Sequence, residues 1–366
     1  MQHALIGSYT HAMGHTVGGG VGVQRITLDR EGRIAPMGDP LAIRNASFIC
    51  VNAAGDRAYV TSEIDDHREP DRGAAGPDGC ITTVALDPAA VGDQVLAVRS
   101  TAGPGPAHCG LDPSGTRLAV ASYAGGYAVV FTLDDRGCPG PEAATLPHTG
   151  SGPHVTRQTA PHAHQAVASP DGRWLYVVDL GTDKIVGYRL GDAGITRDPG
   201  AGAVLPPGSG PRHLAFAPDS PVAWVDLELS SEVTALGYDP ATGALAPRQT
   251  LASLAEGPAP AETNFPSEIA VSSNGRFVVV ANRGRDCLTS FAVNLNGGTL
   301  DPIHDAPVGK TPRHFAFTPD GHTLVLAEQD GHRVTSHRFD PATGRITATG
   351  HGWDTSSPCA VCFLPR

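Results

Sequence analysis

The sequence predicts an all-β chain, a seven-bladed β-propeller over residues 1–366 whose ring closes by pairing of the N- and C-terminal strands. Three observations carry this: turn-rich composition, one strand pattern recurring at a fixed internal spacing, and a fragment of a further copy at each chain end. The 366 residues include 45 Gly and 32 Pro and are only 17% charged. With no long helical periodicity, that balance describes many short strands joined by tight turns.

The repeat is clearest in four copies, opening on Pro106-Ala107-His108, Pro211-Arg212-His213, Pro266-Ser267-Glu268 and Pro312-Arg313-His314. An apolar run leads each to a turn, at Pro113-Ser114-Gly115, Pro218-Asp219-Ser220, Ser273-Asn274-Gly275 and Pro319-Asp320-Gly321. Second strands follow at Leu118–Ser122, Val222–Leu227, Phe277–Ala281 and Thr323–Ala327. The opening residue and the residue ending the second strand lie 17 apart every time: Pro106 to Tyr123, Pro211 to Glu228, Pro266 to Arg283, Pro312 to Gln329. Two weaker copies keep the interval, Ala46 to Glu63 and His162 to Asp179.

Third strands are expected at Gly126–Leu133, Lys184–Leu190, Val233–Tyr238, Cys287–Val293 and Arg333–Phe339. Two of them end in one phrase, Asp239-Pro240-Ala241-Thr242-Gly243 and Asp340-Pro341-Ala342-Thr343-Gly344. Proline presets φ there and glycine supplies φ > 0. The seventh unit is split: Pro358–Phe363 is its first strand, Ala4–Tyr9 and Gly22–Leu28 its second and third. Joining them removes a sheet edge that would otherwise invite aggregation. A repeat of about 50 residues suits four-stranded blades. Two packed β-sandwiches would not impose the 17-residue interval.

The interval also locates a site. In an antiparallel pair the start of one strand and the end of the next lie at the same end of the sheet. The innermost strands line the channel, so both sets of residues converge on one mouth. They comprise His162, His164, Arg212, His213, Glu228, Glu268, Arg283, Arg313, His314, Gln329, Asp179 and Glu63. Such a rim, around apolar strand middles, is where closed β folds hold ligands. His162 and His164 are two apart on one strand face and suit metal ligation, proton transfer or loop bonding. Arg313 matches Arg212 in register and is a substrate ligand or a tie between blades. Asp179-Leu180-Gly181-Thr182-Asp183 is a site segment or a turn, whereas Asp171 and Asp320 belong to turns. The polar loops Asp65–Asp78 and Gly137–Ala160 are expected in solvent, or over the mouth.

Other classes are excluded by charge and patterning. The net charge is −11 with no Lys/Arg cluster (only Lys184 and Lys310 are lysines), which argues against nucleic acid as a partner. No segment reaches the ~20 apolar residues of a membrane span. The N-terminus lacks a basic and apolar leader pattern. Seven irregularly spaced cysteines suggest reduced thiols in the cytoplasm. Cys359-Ala360-Val361-Cys362 looks like a redox pair, but residues three apart on a strand face opposite ways. A monomer or weak homo-oligomer is expected.

Several phrases together resemble the lactonase family of seven-bladed propellers, which includes cycloisomerase-type 6-phosphogluconolactonases and 3-carboxy-cis,cis-muconate lactonizing enzymes. They are Gly7-Ser8-Tyr9-Thr10, Asn45-Ala46-Ser47-Phe48, Pro161-His162-Ala163-His164, Asp179–Asp183, Gly210-Pro211-Arg212-His213, Glu228-Leu229, Asn282-Arg283-Gly284 and Pro312-Arg313-His314-Phe315. Ser122-Tyr123 and Pro266-Ser267-Glu268 depart from the family's usual phrases. The resemblance implies a site without metal or cofactor, built from His164, Arg212, Glu228 and Arg283. His162, His213, Glu268, Arg313, Gln329 and Asp179 are the expected substrate contacts. It implies hydrolysis of an anionic sugar lactone such as 6-phosphogluconolactone. One guanidinium would stabilise the oxyanion and another hold the substrate's anion. His164 and Glu228 would handle protons, either being the base. The same residues suit a cycloisomerase closing a carboxymuconate-type acid to a lactone, or a lactonase or cyclase of a specialised pathway. A non-catalytic scaffold would expose aromatic and apolar groups on its face; aromatics are 5% of this chain, and its rim is charged.

Overall fold

The computed structural model describes residues 1–68, 77–87, 92–191, 194–260, 262–294 and 296–365. Among them every regular element is a strand, and the strands form seven four-stranded sheets. In order from the inner strand outward, blade 1 is Ala46–Val51, Arg57–Ser62, Cys80–Ala85 and Gln94–Ser100; blade 2 is Pro106–Leu111, Arg117–Ser122, Tyr127–Leu133 and Pro139–Pro147. Blade 3 is Ala163–Ala168, Trp174–Asp179, Lys184–Gly191 and Gly194–Val204; blade 4 is Pro211–Phe216, Val222–Leu227, Glu232–Tyr238 and Leu245–Ala252. Blade 5 is Phe265–Val271, Phe277–Arg283, Cys287–Val293 and Leu300–Pro307; blade 6 is Pro312–Phe317, Thr323–Glu328, Arg333–Phe339 and Ile346–Asp354. Blade 7 takes Pro358–Phe363 from the C-terminus, then Gln2–Ser8, Val23–Leu28 and Ile34–Leu41. The expected ring closure is present, with Ala4 opposite Phe363 and Gly7 opposite Ala360.

The apolar core is itself a ring. Seven buried clusters form, each straddling one blade boundary. Trp174 and Tyr176 of blade 3, for example, pack with Leu214, Ala223 and Val225 of blade 4. Second strands are therefore covered on both faces, and Trp174–Asp179 and Val222–Leu227 are buried at every residue. Burying a large apolar side chain contributes about 1.5–3 kcal/mol. The twin phrases have a packing cause. A Cβ on Gly243 (φ 72°) would lie 2.5 Å from the Trp174 ring, and one on Gly344 (φ 73°) 2.5 Å from Phe277. Each turn docks on the aromatic that opens a second strand in the preceding blade, and only glycine allows that approach.

Because the core lies between blades, the axis is left to polar side chains, and a recurrent bulge aims them. Pairing slips near the start of inner strands: between Ala46 and Phe48, Pro106 and His108, Ala163 and Gln165, Pro266 and Glu268, and Pro312 and His314. Blade 4 slips between Pro211 and Leu214. A bulge leaves one residue unpaired and breaks strict alternation. Two consecutive side chains, such as Arg212 and His213, then both enter the channel.

Candidate active site

The first channel tier holds the bulge residues His164, Arg212 and Arg313 with the strand-end residues Glu228, Arg283, Glu63, Tyr123 and Tyr9. Glu228 is its centre, with a side chain 3% exposed. Its Oε1 accepts from Arg157 NH2 at 2.7 Å. Its Oε2 lies 3.0 Å from Arg283 NH2 and 3.1 Å from Arg212 Nε. Burial opposes ionisation, but the guanidiniums of Arg283, Arg157 and Arg212 overcome it and hold the carboxyl far below the usual range. Arg283 also donates to the carbonyls of Phe265 and Pro266, which fixes its plane.

Arg212 is less well satisfied. Its Nε is close to Glu228, yet the N–H is not directed at the carboxylate, and this buried nitrogen has no hydrogen-bond partner. Burial, with Arg283 alongside, lowers its pKa to about 10. His164 is also buried, and its Nδ1 is unpaired. Burial, then the charge of Arg212, pushes its pKa well below 6.5, so the ring is a neutral imidazole at pH 7. It packs edge-on against Tyr123 and His213, at 5.5 and 5.1 Å between centroids. Arg313 lies 5.2 Å from the Tyr9 ring centroid and 4.0 Å from Glu63, which also accepts from the Tyr9 hydroxyl at 2.7 Å. Four guanidiniums thus face two carboxylates, Glu63 and Glu228.

The second tier holds the next residue of five inner strands: Phe48, His108, His213, Glu268 and His314. Glu268 Oε2 accepts from His213 Nδ1 at 3.0 Å and lies 3.1 Å from His314 Nε2. His314 Nδ1 accepts the Val361 amide, so its proton is on Nε2. His213 Nε2 is left as an acceptor, 3.4 Å from Arg212 NH1. Burial keeps His108 and His213 neutral and lowers His314 to about 4, while it raises Glu268. With Phe48 tilted against His108 at 4.1 Å between centroids, this tier floors the site.

Three expected contacts are placed differently. Asp179 is fully buried beneath the mouth. Its carboxylate is spent on His148 Nδ1 at 2.6 Å and the amides of His162 and Gly181. The inner strand starts at Ala163, which pairs with Asp179 just as Pro211 pairs with Leu227. Leu180, not Asp179, therefore stands where Glu228 stands in blade 4. His162 precedes the strand and stacks on Tyr123 at 4.5 Å instead of sharing a strand face with His164. Gln329 donates to the His15 carbonyl at 2.9 Å and so anchors the loop after Ser8.

The segment Gly137–Ala160 supplies the outer strand of blade 2 and then a loop that brings Arg157 to the mouth, a residue the repeat does not flag. Residues 69–76 of Asp65–Asp78 lie outside the described residues. All seven cysteines are free thiols. Among the described residues no group of three His, Cys, Asp or Glu side chains is arranged to hold a metal ion, and no helix is long and apolar enough to cross a membrane. A groove of about 800 Å³ opens at the opposite end of the blades, lined by turn residues of both signs and by none of the mouth residues.

Ring and mouth together define a seven-bladed propeller whose channel mouth gathers four arginines around two buried carboxylates. The chain belongs to the lactonase family: the family model described as "Lactonase, 7-bladed beta-propeller" matches residues 3–363. It is 32% identical over 354 residues to a Bacillus subtilis protein named 6-phosphogluconolactonase, covering 96% of each chain. It is 28% identical over 313 residues to a 6-phosphogluconolactonase of Formosa agariphila, covering 83% of this chain and 84% of that one. The structure of a periplasmic gluconolactonase of Pseudomonas aeruginosa superposes with a TM-score of 0.88 at 28% identity, covering 100% of this chain and 99% of that one.

Proposed function

We propose that the protein hydrolyses an anionic sugar lactone, with 6-phosphogluconolactone as the reference substrate and no metal in the reaction. The observation that carries this is the pair of buried, unpaired atoms at the mouth, Arg212 Nε and His164 Nδ1. One is a cationic donor and the other belongs to a neutral imidazole, the two groups that ester hydrolysis needs.

In this mechanism His164 takes a proton from water as the water oxygen attacks the lactone carbonyl carbon. The carbonyl oxygen becomes an oxyanion facing Arg212. The ring C–O bond then breaks, and the proton passes from His164 to the departing alkoxide, leaving an open-chain hydroxy acid. Glu228 is a weak base, because three guanidiniums stabilise its charged form. Its role is to gather and orient those guanidiniums. The names of the Bacillus and Formosa relatives support the sugar lactone, and the free cysteines support a reducing, cytoplasmic compartment.

The test is hydrolysis of freshly generated 6-phosphoglucono-δ-lactone, with spontaneous opening subtracted, for wild type and Arg212→Ala. Loss of one oxyanion donor lowers kcat by about 10²–10³. Equal rates would remove Arg212 from the mechanism. A wild-type rate at background would overturn the substrate and turn the search to carboxymuconates.

A further inference from the structure

The mouth carries more positive charge than its carboxylates offset, and its four arginines are not equally committed. Arg212 is buried beside His213, with a side chain 4% exposed. Arg283, 17% exposed, is held by two backbone carbonyls besides Glu228. Arg313, 12% exposed, lies against Tyr9 and Glu63. Arg157 differs: its side chain is 37% exposed. One nitrogen, NH2, serves both Glu228 Oε1 at 2.7 Å and the Tyr123 hydroxyl at 3.1 Å. Its Nε and NH1 donors have no partner among the described residues.

The loop carrying Arg157 is stapled down. The fully buried neighbour Gln158 donates to Leu180 O at 2.8 Å and Asp183 Oδ1 at 2.7 Å, and its Oε1 accepts the His154 amide. Asp183 in turn accepts the amides of Gly208 and Gly210, just before the inner strand of blade 4 that bears Arg212. Arg157 is therefore held at a fixed position relative to Arg212 and Glu228. A partly exposed guanidinium at a mouth edge, with one nitrogen on a buried carboxylate, is placed for the end of a ligand that points outward. Guanidinium donors match a tetrahedral phosphate dianion in charge and geometry.

We propose that Arg157 is the residue that selects for a phosphate on the far end of the substrate. The proposal rests on the lactonase reading for its substrate, but its test does not depend on turnover. A lactone whose carbonyl sits at Arg212 and His164 directs its distal carbon away from the buried floor. Arg157 meets the phosphate there, while Arg212 and Arg283 continue to hold Glu228 Oε2.

Calorimetric titration of wild type, Arg157→Ala and Arg157→Lys with 6-phosphogluconate and with gluconate tests this. Melting curves of each variant serve as the check on folding. Charge-assisted hydrogen bonds of this kind give wild type a preference for the phosphorylated acid of about 10- to 100-fold. That ratio collapses to within about threefold in Arg157→Ala and is partly kept in Arg157→Lys, which preserves the charge but not the fork. A ratio unchanged in Arg157→Ala would overturn the proposal, as would a wild type that binds both acids equally. If Arg157→Ala does not fold, the Arg157→Lys ratio decides: a value equal to wild type overturns the proposal. A wild type that hydrolyses no lactone but shows the collapse would refute the function and leave Arg157 as the phosphate contact.

Discussion

Replacing Glu228 by glutamine tests the electrostatic design directly, because shape is kept and only the charge goes. In the wild type this 3% exposed carboxylate faces nitrogens of Arg157, Arg283 and Arg212 at 2.7, 3.0 and 3.1 Å. The variant leaves three guanidiniums without their shared anion. Breaking a buried ion pair from one side costs about 3–5 kcal/mol. An unfolding entropy of ~2.1 cal/mol/K per residue gives about 0.8 kcal/mol/K for this chain, so Tm falls by about 4–6 °C. The same change adds one positive charge to an anion site. At ~5 Å and an effective dielectric near 20, that is worth up to ~3 kcal/mol to a bound anion, or roughly 10- to 100-fold in affinity. Inorganic phosphate should therefore raise the Tm of Glu228→Gln more than that of wild type, although turnover drops about 10²-fold or more through misaligned donors. Thermal melts across a phosphate series, with lactone hydrolysis alongside, read all three quantities. An unchanged Tm would show that Glu228 is not the counter-ion of the cluster. Weaker phosphate stabilisation in the variant would show that the guanidiniums are not the anion's receptors.

Acid should unfold the protein steeply. His108, His164, His213, His314 and His337 are held neutral by burial, the last two with pKa near 4. Below pH 6.5 the unfolded chain binds protons that the fold refuses, so stability falls with falling pH. Burial raises Asp226, to about 7, and Glu268, and these two act in the opposite sense. The buried histidines outnumber these two carboxyls, so the net effect is a loss of stability as pH falls below 6.5, measurable by urea unfolding at stepped pH; a flat profile would contradict the buried neutral rings. In nitrogen NMR, His164 should remain neutral in the free protein as pH falls through 6.5. Saturating phosphate should shift its titration upward, since an anion offsets Arg212; a titration that stays in place would separate His164 from the anion site.

The blade pattern was legible because it is written twice over, in turn chemistry and in the 17-residue interval. Outer strands such as Leu245–Ala252 and Ile346–Asp354 were not located, because only one face packs and their residues are largely polar or exposed. The interval also found most of the mouth: Arg212, Glu228, Arg283 and Arg313 share one tier. It failed at blade 3, where counting from His162 instead of Ala163 put Asp179 in a place that Leu180 occupies. A one-residue slip moves every assignment, and no proline marks the strand start there. Two residues could have been found by the same rule. His108 stands two after Pro106 as His213 stands two after Pro211, and Tyr9 follows Ser8, which pairs with Pro358. Arg157 had no such signal, because it lies outside the repeat and reaches the mouth only through the Gln158–Asp183 staple.

The two tiers explain each other. Placing three histidines and a glutamate under four arginines would be ruinous if the histidines charged, since like charges would then stack in a channel that excludes water. Burial keeps them neutral, and a neutral ring still has a direction. Glu268 can only accept from His213 Nδ1, which leaves Nε2 to accept from Arg212. The floor thus orients a cation without adding to its charge. It also lowers the dielectric beneath the mouth, which strengthens the field that the arginines present to an incoming anion. The bulge makes this arrangement available to a β-strand. Without the extra residue, Arg212 and His213 would point to opposite faces, and the cation and the ring that orients it would never meet.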